Sequence, residues 1–224
     1  MHGQGSHLRG CIGAPCSLNR QSQGDSGWSD NRVGLSPRGK IEAEELATLL
    51  QSSEFDAIYS SPLRRCRETI APLLARRAQK VEFLDGLIEM EYGRWSGKSL
   101  PLLAKEDLWK TIQSRPSTVR FPGGESFSEM SVRANQAVLA QSSGKRRILV
   151  VSHGDVIKSI VAFHLGLTLD LFQRIAIDPA SVSTIRLPAS QIIQVNSTAH
   201  LSRGAAGPKA KRDRFTLGGG EGRK

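Results

Sequence analysis

The chain has 224 residues, 38% of them hydrophobic, with a formal net charge of +10. That length and apolar content suit one globular domain with a sizeable core. They exclude a small disulfide-stapled scaffold and a chain too polar to fold. Three cysteines, Cys11, Cys16 and Cys66, imply no disulfide framework. There is no secretory apolar region and no long apolar span, so a cytoplasmic protein without membrane contact is expected.

Residues 1–26 are polar and rich in Gly and Ser, with no run of Val, Ile or Leu suited to a central strand. They are expected to be a divergent, poorly ordered segment ahead of the domain. His2, His7, Cys11 and Cys16 can be drawn as a zinc cluster, but their spacing matches no usual ligand pairing, so no metal site is expected. Ser36 and Pro37 start a helix as N-cap and first-turn residues, with Ala43, Leu46, Ala47 and Leu50 on its inner face. Phe55 to Ser61 form a short strand that runs into Pro62, Leu63, Arg64, Arg65, Cys66 and Arg67 at a helix start. Cations there oppose the helix dipole unless an anion gathers them. Arg64 and Arg67 are read as solvated surface charges.

Leu87 to Gly97 place Glu89 and Glu91 beside Tyr92 and Trp95. A carboxyl group among apolar rings can have its proton affinity raised, which suits a general acid. Leu100 to Pro122 is helical in pattern but interrupted by Pro116, as in an excursion over a site. Within it, Leu108, Trp109 and Ile112 are either a wall of a substrate pocket or ordinary core. Ser126 and Glu129 make a capping box ahead of Met130, Ala134, Ala137 and Val138. Gly123 and Gly124 fit no dinucleotide loop, and Glu125 beside them is a candidate auxiliary acid.

Ile148 to Lys158 carry the sharpest signal. Four aliphatic residues read as a parallel strand covered on both faces. The strand ends in Ser152, His153 and Gly154, after which Val156, Ile157, Ile160 and Val161 recur at helical spacing. Ligands of open α/β sheets bind beyond such strand ends, where the next helix offers unpaired N–H groups to an anion. A phosphate is the natural candidate, whereas His153 taken alone also fits a satisfied histidine at a tight turn. Val182 to Leu187 and Ile192 to Val195 then read as an antiparallel pair that finishes the sheet. From Ser202 onward seven cationic residues face Asp213 and Glu221, an excess that is half of the formal +10. Residues 202–224 are rich in Gly with little to bury, and are expected to be a disordered basic tail.

These strings in this order, GWSDNRVGLSPRG, IYSSPLRRCRET, LIEMEYGRWSG, FPGGESFSEMSVRA and VVSHGDVIKSIVA, resemble the histidine phosphatase superfamily with its phosphoglycerate mutase-like fold. The resemblance runs from Gly27 to about Val195, and LGLTLDLFQRIAIDPASVSTIRL is similar to an actinobacterial-type subgroup of phosphomutase-like members. It implies an α/β fold with a mostly parallel sheet flanked by helices on both faces, filling residues 27–201. It implies a phosphatase or phosphomutase acting on phosphate monoesters through phosphohistidine, with no metal or other cofactor. Carried over by position, His153 is the second catalytic histidine, which donates to the phosphoryl oxygens while its charge steadies the transition state. Arg65 grips the phosphate, Gly154 offers its backbone N–H, Glu89 protonates the leaving oxygen, and Glu91 is the weaker acid candidate.

The family's acceptor histidine, in an Arg-His-Gly motif after the first strand, should fall near Gly13, Ala14 and Pro15, and no histidine stands there. His7, Leu8, Arg9 and Gly10 resemble a scrambled version of the motif, and His2 fits it even less. The first strand and the acceptor are therefore expected to be missing or altered, through a shifted reading frame upstream of about Gly27 or through divergence. Loss of a central strand would expose its neighbours' edges and weaken the domain. The alternative function is an inactive phosphatase-like protein that binds phosphorylated ligands through Arg65 and His153. A further form of that alternative binds nucleic acid through Lys209 to Arg214, although no reader motif supports a specific nucleic-acid partner.

Overall fold

The computed structural model describes residues 8–13, 34–98, 100–145 and 147–202. Six strands, β1 (Leu8–Gly13), β2 (Ala57–Ser60), β3 (Val81–Phe83), β4 (Arg147–Val151), β5 (Val182–Leu187) and β6 (Gln191–Ser197), form one sheet in the order β3-β2-β4-β1-β5-β6. The pairs β3–β2, β2–β4 and β4–β1 are parallel, while β1–β5 and β5–β6 are antiparallel. The result is a mostly parallel sheet with an antiparallel hairpin at one side, as the last two apolar stretches of the sequence imply.

The first strand, expected to be missing or altered, is present and central, in the altered sequence LRGCIG. Its backbone pairs with β4 from Arg9–Arg147 to Gly13–Val151, and with β5 from Leu8–Leu187 to Gly13–Val182. A strand flanked on both sides takes its hydrogen bonds through the main chain, so the two glycines of LRGCIG do not bar it from the position. With β1 in place, β4 and β5 are not edges, and the expected weakening from their exposure does not follow. The Met1–His7 and Ala14–Ser26 portions of the amino-terminal segment lie outside the described residues, as do His2, His7, Cys16, the string from Gly27 to Val33 and the tail from Arg203.

Side chains alternate across the sheet with period two. Ile58, Leu149, Val151 and Val182 meet one helical layer, made of α1 (Pro37–Leu50) and α2 (Arg64–Ala75), through Leu46, Ala47, Leu50, Cys66, Ile70 and Leu73. Tyr59, Ile148, Val150, Ile185 and Leu187 meet the opposite layer. Short α3 (Leu100–Leu103) and α4 (Asp107–Ser114) lead there to α5 (Phe127–Ser142) and α6 (Gly154–His164). Almost every residue of α6 is buried, which fits its apolar sequence on all sides.

Local signals fix where the helices begin. Ser36 Oγ accepts from Gly39 N–H at 3.0 Å, with Pro37 in the first turn of α1. Ser126 and Glu129 close a reciprocal capping box on α5. Ile112 is fully buried in the larger core, with Leu108 and Trp109 packed against it, so these three residues serve the core. Phe121 meets Phe127 with ring centroids 5.5 Å apart, and Phe127 meets Phe172 at 5.2 Å. Such pairs add about 0.5–1.5 kcal/mol each beyond area burial and tie the excursion to α5. Among the described residues no helix is long and apolar enough to cross a membrane.

Candidate active site

The parallel strands β1, β2 and β4 all end on one side of the sheet, and the polar groups gather there. Gly13 is paired with Val151 and Ser61 N–H donates to Val151 O at 2.9 Å, so both neighbours of β4 stop beside the residue that precedes Ser152 and His153. The chain turns into α6 at His153, its N-cap, which has an extended backbone and a side chain that does not cap the helix. That leaves the imidazole free to face α2. Gly154 is the first helical residue, where a backbone N–H has no partner within the helix.

Arg65 lies in the first turn of α2 and is 2% exposed. Its Nε donates to His153 Nδ1 at 3.0 Å, and His153 Nε2 lies 2.8 Å from Ser61 Oγ. A guanidinium only donates, so Nδ1 is the acceptor and the ring proton sits on Nε2, directed at Ser61. Burial, and after it the charges of Arg65 and Arg133, hold the imidazole well below its usual range. The positive charge expected on His153 is therefore absent in this arrangement, and Arg65 supplies it. Arg64 pairs with Glu68 at the surface and Arg67 lies over the Phe83 ring, so only the middle arginine turns inward.

Cys66 Sγ lies 3.5 Å from His153 Nε2. Burial pushes its thiol up to about 12, so it stays protonated and packs as a small apolar group.

Glu89 is also buried, at 3% exposed. Its Oε1 accepts from Met90 N–H at 2.9 Å. Burial first, and the negative charge of Asp155 second, raise its carboxyl to about 7, against the pull of Arg65 and Lys158. Asp155 is fully buried in α6 and accepts from Tyr92 OH at 2.9 Å and from Lys158 Nζ at 3.1 Å. Ser152 Oγ donates to Leu87 O at 2.8 Å, which joins the His153 junction to the loop that carries Glu89.

The two other carboxylates singled out in the sequence are placed differently. Glu91 points to solvent. Glu125 accepts from Arg133 at both oxygens and from Glu91 N–H, so it is a structural anion and not the auxiliary acid expected. The glycine pair beside it reflects crowding: a Cβ on Gly124 would lie 2.2 Å from Glu91 O, and Gly93 has φ +53 with Pro122 O 2.4 Å from where its Cβ would be. No group of three His, Cys, Asp or Glu able to hold a metal is gathered among the described residues.

A model of the histidine phosphatase superfamily (branch 1) matches residues 15–197. The chain belongs to that superfamily. Phosphoserine phosphatase 1 of Hydrogenobacter thermophilus is 31% identical over 174 residues, covering 75% of this chain and 82% of that one. A 2,3-bisphosphoglycerate-dependent phosphoglycerate mutase of Methylorubrum populi is 29% identical over 185 residues, covering 75% and 84%. Among solved structures, a mutant phosphoserine phosphatase of Entamoeba histolytica in complex with phosphoserine superposes with a TM-score of 0.75 at 24% identity, over 87% of this chain and 99% of that one. Relatives and structural neighbours within the superfamily are thus phosphatases or mutases.

Arg65, His153, Gly154 and Glu89, which the resemblance implies for the site, come together at one end of the sheet. Ser61, Asp155, Lys158 and Arg133 join them there without having been expected. A signal for two of these exists in VVSHGDVIKSIVA: a charged pair at i, i+3 inside an otherwise apolar helix must be buried and paired.

Proposed function

We propose that this superfamily member acts on phosphate monoesters as a phosphatase or phosphomutase of the phosphohistidine type. The phosphoryl group would lie against Arg65, His153 and the backbone N–H of Gly154. Glu89 would protonate the oxygen that leaves as the P–O bond breaks. The observation that carries the reading is Glu89 itself: a buried carboxyl with its proton affinity raised to about 7, within the field of a buried arginine. A general acid works best when its proton affinity lies near the working pH. The outcome would be set by whichever acceptor reaches the phosphorylated enzyme, water for a phosphatase or a second hydroxyl for a mutase.

The segment Gly13-Ala14-Pro15 gives weight to a second reading. With no histidine there, the chain would hold phosphate monoesters at Arg65 and His153 without forming phosphohistidine.

Hydrolysis of an aryl phosphate by this chain, with Arg65→Ala and His153→Ala beside it, separates the two. Turnover lost in both variants supports the catalytic reading. Phosphate-monoester binding without turnover, weakened by Arg65→Ala, supports the silent one. An unchanged rate or affinity in Arg65→Ala would remove this site from both.

A further inference from the structure

The loop that carries Glu89 has little regular structure of its own, yet its acid is buried and its backbone is held at several points by one side chain. Arg133, on α5, donates from Nη1 to Gly86 O at 2.9 Å and to Ile88 O at 2.7 Å, and from Nη2 to Glu89 O at 3.3 Å. The same guanidinium grips Glu125, with Nε on Oε2 at 2.9 Å and Nη2 on Oε1 at 2.5 Å. Glu125 Oε1 also accepts from Glu91 N–H at 2.9 Å, and Glu125 N–H donates to Glu91 O at 3.0 Å. Residues 86–91 are thus held from both ends. The close approach is built into the sequence, because a Cβ on Gly86 would lie 2.7 Å from Ala137 Cβ on α5.

We infer that Arg133, with Glu125 as its counter-ion, is a positioning residue that sets the buried pose of Glu89, and that the family-level acid chemistry depends on this clamp. The inference rests on the reading of Glu89 as the acid. Arg133 fits the role chemically: a planar fork can serve three carbonyls and a carboxylate at once, which an ammonium cannot. The groups that act electrostatically on Glu89 are Arg65 from α2 and Asp155 and Lys158 from α6. The clamp therefore works through geometry: it keeps the carboxyl out of water, where burial is the largest cause of its raised proton affinity.

The sign of the effect makes this testable. Removing a cation near a carboxylic acid, with nothing else changed, raises the acid's pKa. Releasing the loop so that water reaches Glu89 lowers it.

The experiment is a ¹³C NMR titration of protein labelled at the glutamate side-chain carboxyl, with the Glu89 signal assigned from Glu89→Gln. It needs no turnover. Arg133→Gln and the charge-conserving Arg133→Lys are compared with Arg76→Gln, whose partner is Glu44 on the opposite layer. A midpoint about one unit or more lower in both Arg133 variants, which is about tenfold in proton dissociation, and unchanged in Arg76→Gln, supports the clamp. A midpoint that stays or rises in the folded Arg133→Lys protein overturns it and leaves the acid reading standing. A wild-type midpoint near 4.5 overturns the acid reading, and the clamp's role in it as well. If Arg133→Gln fails to fold, Arg133→Lys and Glu125→Gln decide by the same criterion.

Discussion

Arg65 Nε reaches His153 Nδ1 at 3.0 Å, and that one contact fixes the tautomer of the histidine, the direction of its remaining proton and the place of the positive charge. The guanidinium carries the charge at this end of the sheet, and the neutral ring turns its proton to Ser61. A phosphoryl dianion suits that guanidinium, since charge-assisted hydrogen bonds are the stronger ones.

Arg65→Lys should therefore weaken binding of inorganic phosphate about 10- to 100-fold, even though the charge is kept, because hydrogen bonds to charged groups are worth about 1.5–3 kcal/mol and the lysine loses the fork. Titration calorimetry at fixed ionic strength measures this directly. Equal affinity in the two proteins would mean that phosphate is held elsewhere.

Glu89 should leave its mark on stability. Its carboxyl lies at about 7 in the folded chain against an ordinary 4.5, so the native state binds the extra proton. The contribution is fully present below about pH 4.5 and is lost as pH rises through about 7, by an amount on the order of 3 kcal/mol. His153 works in the opposite sense: its pKa is held well below 6.5, so its contribution is present above pH 6.5 and lost as pH falls. Urea unfolding of wild type and Glu89→Gln between pH 5 and 8 isolates the first effect. A stability difference that is flat across that range would contradict the buried acid.

The missing acceptor lends itself to a gain-of-function experiment. Gly13→Arg, Ala14→His and Pro15→Gly together write the superfamily motif at the end of β1, beside the Gly13–Val151 pair. The triple variant is expected to accumulate an acid-labile phosphohistidine visible by ³¹P NMR and to raise aryl phosphate hydrolysis by at least about 10²-fold, given the cost of lacking a nucleophile. A folded variant without phosphoenzyme would place the acceptor position elsewhere in the chain.

Two glycines should respond differently to alanine. At Gly124 the new methyl would meet Glu91 O at 2.2 Å, so the 91–93 and 122–124 segments must part, at about 1–3 kcal/mol. At Gly144 nothing lies within 4 Å, and the cost is the left-handed backbone alone, about 1–2 kcal/mol. Gly124→Ala alone should also disturb the Glu89 titration, since it strains the loop that Arg133 holds. Chemical denaturation and the carboxyl NMR signal together distinguish the two cases.

Much of this arrangement is legible in the sequence where local chemistry decides it. Ser36-Pro37 and the Ser126–Glu129 box mark helix starts because caps act over three or four residues. The His153 junction is readable because a buried strand must end in polar residues if it is to face a ligand. The β1 strand escapes that logic: LRGCIG has no aliphatic run, and its place comes from two partners more than a hundred residues away. Arg133 escapes it too, since one arginine on an amphipathic helix looks like any other until the loop it serves is folded beneath it. Glu125 misleads for the same reason, as proximity to a site says nothing about which cation claims a carboxylate.

One buried hydroxyl separates what this scaffold can vary from what it cannot. Because Ser152 is anchored to the carbonyl of Leu87, the His153 junction and the loop of Glu89 are held at a fixed spacing. Ligands of different bulk would meet the same reacting geometry. The excursion from Leu100 to Pro122 is held differently: α4 gives Ile112 to the core and leaves Asp107, Lys110 and Ser114 exposed. On the function proposed above, a lineage could change what it recognises by redrafting that excursion, while the spacing of Glu89 and His153 stayed as it was.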